Sequence, residues 1–230
     1  MTNILEDNCI LCKRKTDCFK RLTEDELKKF NESKTTIRYR KGETIIKQGT
    51  EFTHIISFNE GLAKINIEVS PNKNILIGIL KASEILGGPG MFVDNKYSFT
   101  VSAITDCSIC LINIDIFKKI LRTNDEFAED FLSTFSSRFT QSITRLVNIT
   151  QKQMHGRLAE AILYFSDSIY NSDKFEMAIS RQELAEFTGM SKESISRILH
   201  QFSEDNIVKT SGRLFEIKDK EKLYYFRKTG

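Results

Sequence analysis

The stretch Ile179–Phe202, ISRQELAEFTGMSKESISRILHQF, reads as two short helices joined by a tight turn. Ser180 can cap the first, with Glu183 three residues on to close a capping box and Ile179 facing Leu184 as a hydrophobic staple. Gly189 supplies the turn, Ser191 caps again, and Met190 can staple onto Ile195, so a second helix begins soon after the first ends. Two helices this close must cross at a steep angle. On the second, Ile195, Ile198, Leu199 and Phe202 fall on one side at helical spacing and leave Lys192, Glu193, Ser196, Arg197 and His200 on the other. An ordinary amphipathic helix has the same polarity. The doubled caps, the glycine turn and the following segment IVKTSGRLFEI, a hairpin signal around Ser211 and Gly212, mark this pair instead as a winged helix-turn-helix.

The polar face suits the edges of DNA bases. Arginine can grip O6 and N7 of guanine with two parallel hydrogen bonds, glutamate can accept from the cytosine amino group, and serine serves either role. Glu193, Ser196 and Arg197 lie near the helix N-terminus, where recognition helices usually touch bases. The candidate DNA-contacting residues are Ser180, Lys192, Glu193, Ser196, Arg197 and His200.

SKESISRILHQF resembles the recognition helix of the CRP/FNR family of bacterial transcription regulators, with Glu193, Ser196 and Arg197 at the positions of its Glu, small or polar residue and Arg. The Glu, Ser, Arg combination is similar to the FNR branch. The resemblance implies a homodimer on palindromic double-stranded DNA with TTGAT-like half-sites, and RNA polymerase as a partner. Lys192 stands where a small apolar residue is common in that branch.

The 230 residues, 40% of them hydrophobic, allow two modest domains with real cores. A net charge of +3 does not by itself announce a nucleic-acid binder. No apolar run approaches the ~20 residues of a membrane span and no signal peptide precedes the first charged residues, so a cytoplasmic protein without membrane partners is expected. Five cysteines in that compartment argue for thiols or metal ligands rather than structural disulfides.

Cys9, Cys12 and Cys18 are separated by two and then five positions, a spacing that suits one metal centre. Zinc sites share the first interval. A cubane iron-sulfur cluster takes four cysteines, and the run DCSICLINI offers Cys107 or Cys110 as the fourth. If the run is a strand, Cys107 shares a face with Ile109 and Leu111 while Cys110 points the other way, better placed for a ligand held outside the core. The FNR branch carries a similar set. The resemblance implies a [4Fe-4S] cluster on Cys9, Cys12, Cys18 and Cys110 that senses oxygen or nitric oxide, and leaves Cys107 without a counterpart. The alternative is a regulator of the same type with no cluster, answering to a small ligand in the barrel or to a thiol or zinc redox state.

LTEDELKKF, Leu22 to Phe30, reads as a short helix capped by Thr23. Residues 34 to 113 are short strands punctuated by glycines, with a hairpin turn at Pro71 to Asn74, as in a small antiparallel barrel or jelly roll. RKGETIIKQGT and FNEGLAKI resemble the effector barrel of the same family, Gly42, Gly49 and Gly61 matching its turn glycines. In a cyclic-nucleotide receptor the segment GGPGMFVDNKYSFTVSAIT would carry an acidic residue for the ribose and an arginine for the phosphate. Against that pattern Gly88 and Tyr97 replace them and Ser98 alone is retained, so cyclic AMP is not expected as a ligand.

Ile116 to Ile149 is helical in period, broken near Thr123 and Asn124. Leu132, Phe135, Phe139, Ile143, Leu146 and Ile149 recur three or four apart, the seam of a coiled coil, with Ser142 as a polar interruption. Such a seam is buried either on the chain's own barrel or by a second copy. A dimer would set two recognition helices one turn of DNA apart, about 34–36 Å. The fold expected is α+β: a cysteine-bearing segment (1–22), an antiparallel effector barrel (23–115), a hinge and dimerisation helix (116–152) and a winged helix-turn-helix (153–230), with Ser166 to Lys174 as a polar linker. His54, His155 and His200 are too scattered for a metal site, and no constellation supports catalysis, so an enzyme is not expected.

Overall fold

A short 3-10 turn at Asp17–Arg21 leads into α1 (Glu24–Ser33). The computed structural model describes residues 8–12, 14–70 and 73–230. Thr23 caps α1 as expected: its hydroxyl accepts from the Glu26 amide, and Glu26 accepts from the Thr23 amide at 2.9 Å. Strands β1 (Lys34–Tyr39), β2 (Thr44–Ile46), β3 (His54–Glu60), β4 (Ala63–Ser70), β5 (Lys73–Leu80), β6 (Glu84–Leu86), β7 (Thr100–Ala103) and β8 (Cys107–Asn113) follow. They form two sheets, ordered β1-β8-β3-β6 and β2-β7-β4-β5, which confirms the jelly-roll expectation. The first two residues of the expected hairpin turn at Pro71 to Asn74 lie outside the described residues.

β8 is buried on both faces, because its second face, with Cys110 and Ile112, lies under helices. α2 (Ile114–Leu121) starts on the Asn113 side chain, which accepts from the Asp115 and Ile116 amides. After a break at residues 122–124, where the expected interruption falls, Asn124 caps α3 (Asp125–Gln151) through the Phe127 amide at 2.9 Å. Phe19, Phe30, Phe117, Phe127 and Phe131 pack ring against ring with centroids 5.0–6.2 Å apart, joining the N-terminal turn, α1, α2 and the start of α3.

By packing, the chain divides into two compact units, residues to 70 with Gly78–Thr140, and residues 73–77 with Gln141–Gly230. The second contains α4 (Met154–Tyr164), β9 (Lys174–Glu176), α5 (Arg181–Thr188), α6 (Lys192–Glu204), β10 (Val208–Ser211), β11 (Leu214–Ile217) and α7 (Lys220–Thr229). Its sheet runs β10-β11-β9, with Gly212 in the hairpin at φ +59. The expected linker at Ser166 to Lys174 is corrected. Residues Phe165–Tyr170 continue α4 as a π-helical turn, because Ser166 is buried and donates to Asp173 at 3.0 Å, while the Tyr170 hydroxyl accepts from the Ala178 amide at 2.8 Å. Helix α7 has no counterpart in the sequence reading. It packs on α4, and Lys220 ties it down between Asp167 (2.8 Å) and Asp173 (2.7 Å).

Candidate functional site

Local sequence builds the helix pair. The Ser180 hydroxyl accepts from the Glu183 amide at 3.2 Å and Glu183 accepts from the Ser180 amide at 2.7 Å, closing the capping box. Gly189 ends α5 in the left-handed region at φ +64, where a side chain would be strained. Ser191 then caps α6 by accepting from the Ser194 amide at 3.1 Å. Ile195, Ile198, Leu199 and Phe202 are buried, and Lys192, Glu193, Ser196, Arg197 and His200 are all exposed. The backbone N–H of Glu193 itself, at the helix start, and the Ser191 hydroxyl hold its carboxyl below the usual range, so it stays an ionised acceptor. His200 lies 3.3 Å from Glu204. Ser180 has its oxygen engaged as a cap and keeps only its hydroxyl proton to offer.

Two arginines that the sequence reading missed brace the wing. Arg213 donates to the Met177 and Ala178 carbonyls at 3.0 and 2.5 Å, while Arg181 donates to the Gly212 carbonyl at 3.3 Å and lies 4.6 Å from the Phe215 ring centre. Arginine in a polar segment looks solvated in sequence, which is why neither stood out.

In the first unit Cys9, Cys12 and Cys110 line one pocket with Arg14, Lys15, Lys34 and Asn59. Asn59 donates to Cys110 Sγ at 3.1 Å, and Asn31 accepts from the Cys9 amide at 3.0 Å. Burial pushes the Cys9 thiol up to about 11, against the pull of Lys34. Cys110 lies on the face opposite Cys107, as expected, but is only 9% exposed because α1 and the N-terminal segment cover that face. Cys18 does not line the pocket. It is 1% exposed, its thiol stands 3.2 Å from the Thr16 hydroxyl, and burial pushes it up to about 11 as well. The cavity measures about 30 Å³, room for about two waters. Among the described residues no three His, Cys, Asp or Glu side chains stand ready to hold a metal ion. Cys9, Cys12 and Cys110 share the pocket lining without forming a ready metal set, and Cys18 packs apart, so the four do not fit a cubane in this arrangement.

The cassette region is closed by its own aromatics. Tyr97 donates to the His54 carbonyl at 2.7 Å and packs 4.3 Å from Phe52, and a Cβ on Gly88 would meet Phe99 and Phe52 at 3.2 and 3.3 Å. Ser98 is exposed.

Along α3, Phe127 and Phe131 are buried, whereas Leu132, Phe139 and Leu146 are 59%, 61% and 62% exposed, with Phe135 and Ile143 exposed beside them. Ile149, at the end of the expected seam, is half-buried and lies close against Gly189 of its own chain. Among the histidines, His155 stacks on Phe226 at 5.8 Å and bonds Gln201 at 3.0 Å. No described helix is long and apolar enough to cross a membrane.

Residues 156–226 match a Crp-like helix-turn-helix domain and residues 36–124 a cyclic nucleotide-binding domain. The chain is 23% identical over 180 residues to the cAMP-activated global transcriptional regulator CRP of Salmonella typhimurium, covering 76% of this chain and 86% of that one. It is 22% identical over 200 residues to the transcriptional regulatory protein btr of Bordetella pertussis, covering 85% and 82%. Among solved structures, FixK2 from Bradyrhizobium japonicum superposes with a TM-score of 0.77 at 17% identity, over 84% of this chain and 96% of that one. A regulator assigned to the CRP/FNR family from Eubacterium rectale superposes with a TM-score of 0.76 at 20% identity, over 93% and 98%.

Proposed function

The chain belongs to the CRP/FNR family, which comprises transcription regulators and not enzymes, and we propose that it works as a cytoplasmic homodimer reading a palindromic operator. The observation that carries this is the α6 face: Lys192, Glu193, Ser196, Arg197 and His200 are exposed together on a helix whose other side is fully packed. Ser180 joins them at the start of α5. The exposed apolar stripe on α3 supports a second copy as its cover, since five large side chains left in water are a hydrophobic liability for a monomer. The proposed boundaries are a cysteine segment to residue 22, a barrel to 115, a hinge and dimer helix to 152 and the DNA-binding domain from 153. The likeness of Glu193, Ser196 and Arg197 to the FNR branch supports TTGAT-like half-sites, and RNA polymerase is the proposed partner at the promoter. Selection of bound duplexes from a random library tests the reading; recovery of no paired, inverted half-sites would sink it.

For the signal, we propose the cysteine pocket. Cys9, Cys12 and Cys110, with three cations around them, support a thiolate-ligated centre, and a [4Fe-4S] cluster completed by Cys18 would supply sensitivity to oxygen or nitric oxide when bound. That centre requires Cys18 to leave its packed place. What supports a response within this chain is that Phe19 packs on Phe127 and Arg21 pairs with Asp130 at 2.8 Å, so the cysteine segment bears directly on the start of α3. The separate position of Cys18 favours a second reading, a zinc or thiol switch on the remaining three cysteines. The domain homologous to cyclic nucleotide receptors lacks their acidic residue and arginine and fills that space with Tyr97, Phe52 and Phe99, which supports a barrel that does not take cyclic AMP. Anaerobic purification with an absorption spectrum, iron, sulfide and zinc assays and a cyclic AMP titration separates these readings. Visible absorption with stoichiometric iron and sulfide is expected; colourless protein holding zinc or no metal would overturn the cluster.

A further inference from the structure

Arg145 lies in the part of α3 that belongs to the second unit and packs its side chain on α5. Its guanidinium carbon lies 3.8 Å from the centre of the Phe187 ring. Nη2 donates to the Phe187 carbonyl at 2.5 Å and also to the carbonyl of Leu76. Nη1 is buried and finds no partner. Burial pushes the group down to about 10, with no carboxylate among the influences that oppose it. A buried cation without a counter-charge is costly, and an apolar side chain of similar length would fill the place at lower cost.

What the arrangement secures is geometry. Phe187 sits in the last turn of α5, where carbonyls lack helical partners and the negative end of the helix dipole collects. A second arginine reaches the same end: Arg157 donates to the Gly189 carbonyl at 3.4 Å while its Nε holds the Lys152 carbonyl at 2.8 Å. Gly189 itself backs onto α3 so closely that a Cβ there would stand 2.9 Å from Ile149 Cγ2. The Phe187 ring also meets Tyr164, stacked at 5.4 Å and 24°. The turn from which α6 departs is thus gripped from α3.

We propose that Arg145 is a positioning residue for DNA reading: it sets the angle at which α6 leaves the dimerisation helix, and so the half-site separation that a dimer accepts. The inference rests on the DNA-binding reading above. With its guanidinium folded onto Phe187, Arg145 acts through α5 and the turn, not through contact with bases.

Arg145→Met and Arg145→Lys in the full chain test it by two measurements. Without DNA, the backbone amides of residues 186–190 should exchange with solvent about tenfold faster in Arg145→Met, the scale of one lost hydrogen bond, while those of Ile198, Leu199 and Phe202 hold their wild-type rates. With DNA, the wild type is first used to select its paired site, and each variant is then titrated against that site, the same site lengthened or shortened by one base pair, and a single half-site. The variants should discriminate between separations about tenfold less than wild type while single half-site affinity is kept. Unchanged exchange overturns the proposal, as does equal loss on single and paired sites, the mark of a merely structural role. Should the wild type select no paired site, the DNA-binding reading fails and takes this one with it; a selecting wild type with an unaltered variant overturns this one alone.

Discussion

At Arg197 a guanidinium stands on the exposed side of α6, backed by the buried Ile198 and flanked by Ser196, whose hydroxyl is turned back to the Lys192 carbonyl at 3.0 Å. Its replacement by alanine should weaken binding to the selected site by about 1–3 kcal/mol and relax one base position, read by fluorescence anisotropy on single-base variants of the site. Lys192→Ala should weaken all sequences alike if the lysine meets phosphate, and lower the salt dependence by about one counterion. For the cysteines, Cys110→Ser should abolish bound metal after anaerobic purification, whereas Cys107→Ser should leave it intact, because the Cys107 thiol donates to the Leu62 and Thr105 carbonyls on the other face of β8. The exposure of Arg197 and the strand face taken by Cys110 were legible from spacing. Arg145, Arg181 and Arg213 were not, because nothing in a run of neighbours says that a charged side chain will be folded inward onto carbonyls.

Among the elements, α5 and α6 owe their ends to three local devices, the Ser180 box, the Gly189 turn and the Ser191 cap. Ser180→Ala should cost about 0.5–2 kcal/mol, measured as a shift in the denaturant midpoint at constant slope. Helix α7 has a local cap too, the Asp219 carboxylate accepting from the Lys222 amide at 2.9 Å, and a charge triad besides. Lys220 holds the Asp173 carboxyl below its ordinary 3.8, a stabilisation present above that value and lost as pH falls through the folded one. Asp167 and Asp173 in turn raise Lys220, a contribution present below its ordinary 10.5 and lost only at strongly alkaline pH. Lys220→Met should therefore lower Tm at pH 7 and lower it less at pH 3, where wild type has lost part of the same interaction; an equal drop at both would exclude the triad. Residues 166–170 misled because their composition, FSDSIY, is that of a loop, while Ser166 is buried on Asp173.

At the scale of the whole molecule, the proposed second copy would cover the exposed stripe of α3. Phe139→Glu places a charge in the middle of the exposed stripe, away from both the buried Phe127 and Phe131 and the Ile149 contact. The variant should sediment as a monomer with an unchanged circular dichroism spectrum and lose most affinity for the paired site while binding a single half-site comparably. A dimer that persists would move the interface elsewhere.

Read alone, the residues determined what depends on near neighbours: caps that start helices, glycines that end them, the period that sorts Ile195, Ile198, Leu199 and Phe202 from Glu193, Ser196 and Arg197, and the break before α3. Those signals act within one or two turns of chain, so they can be read without knowing the surroundings. Only the tertiary structure decided that α1 would close over Cys110, that Cys18 would stand apart from the other three thiols, that Tyr97 would fill the cassette, and that Arg145 would be spent inside on Phe187. Each of these is a contact between segments tens of residues apart, set by which surfaces are left to be buried once the elements exist, and no local pattern encodes that choice.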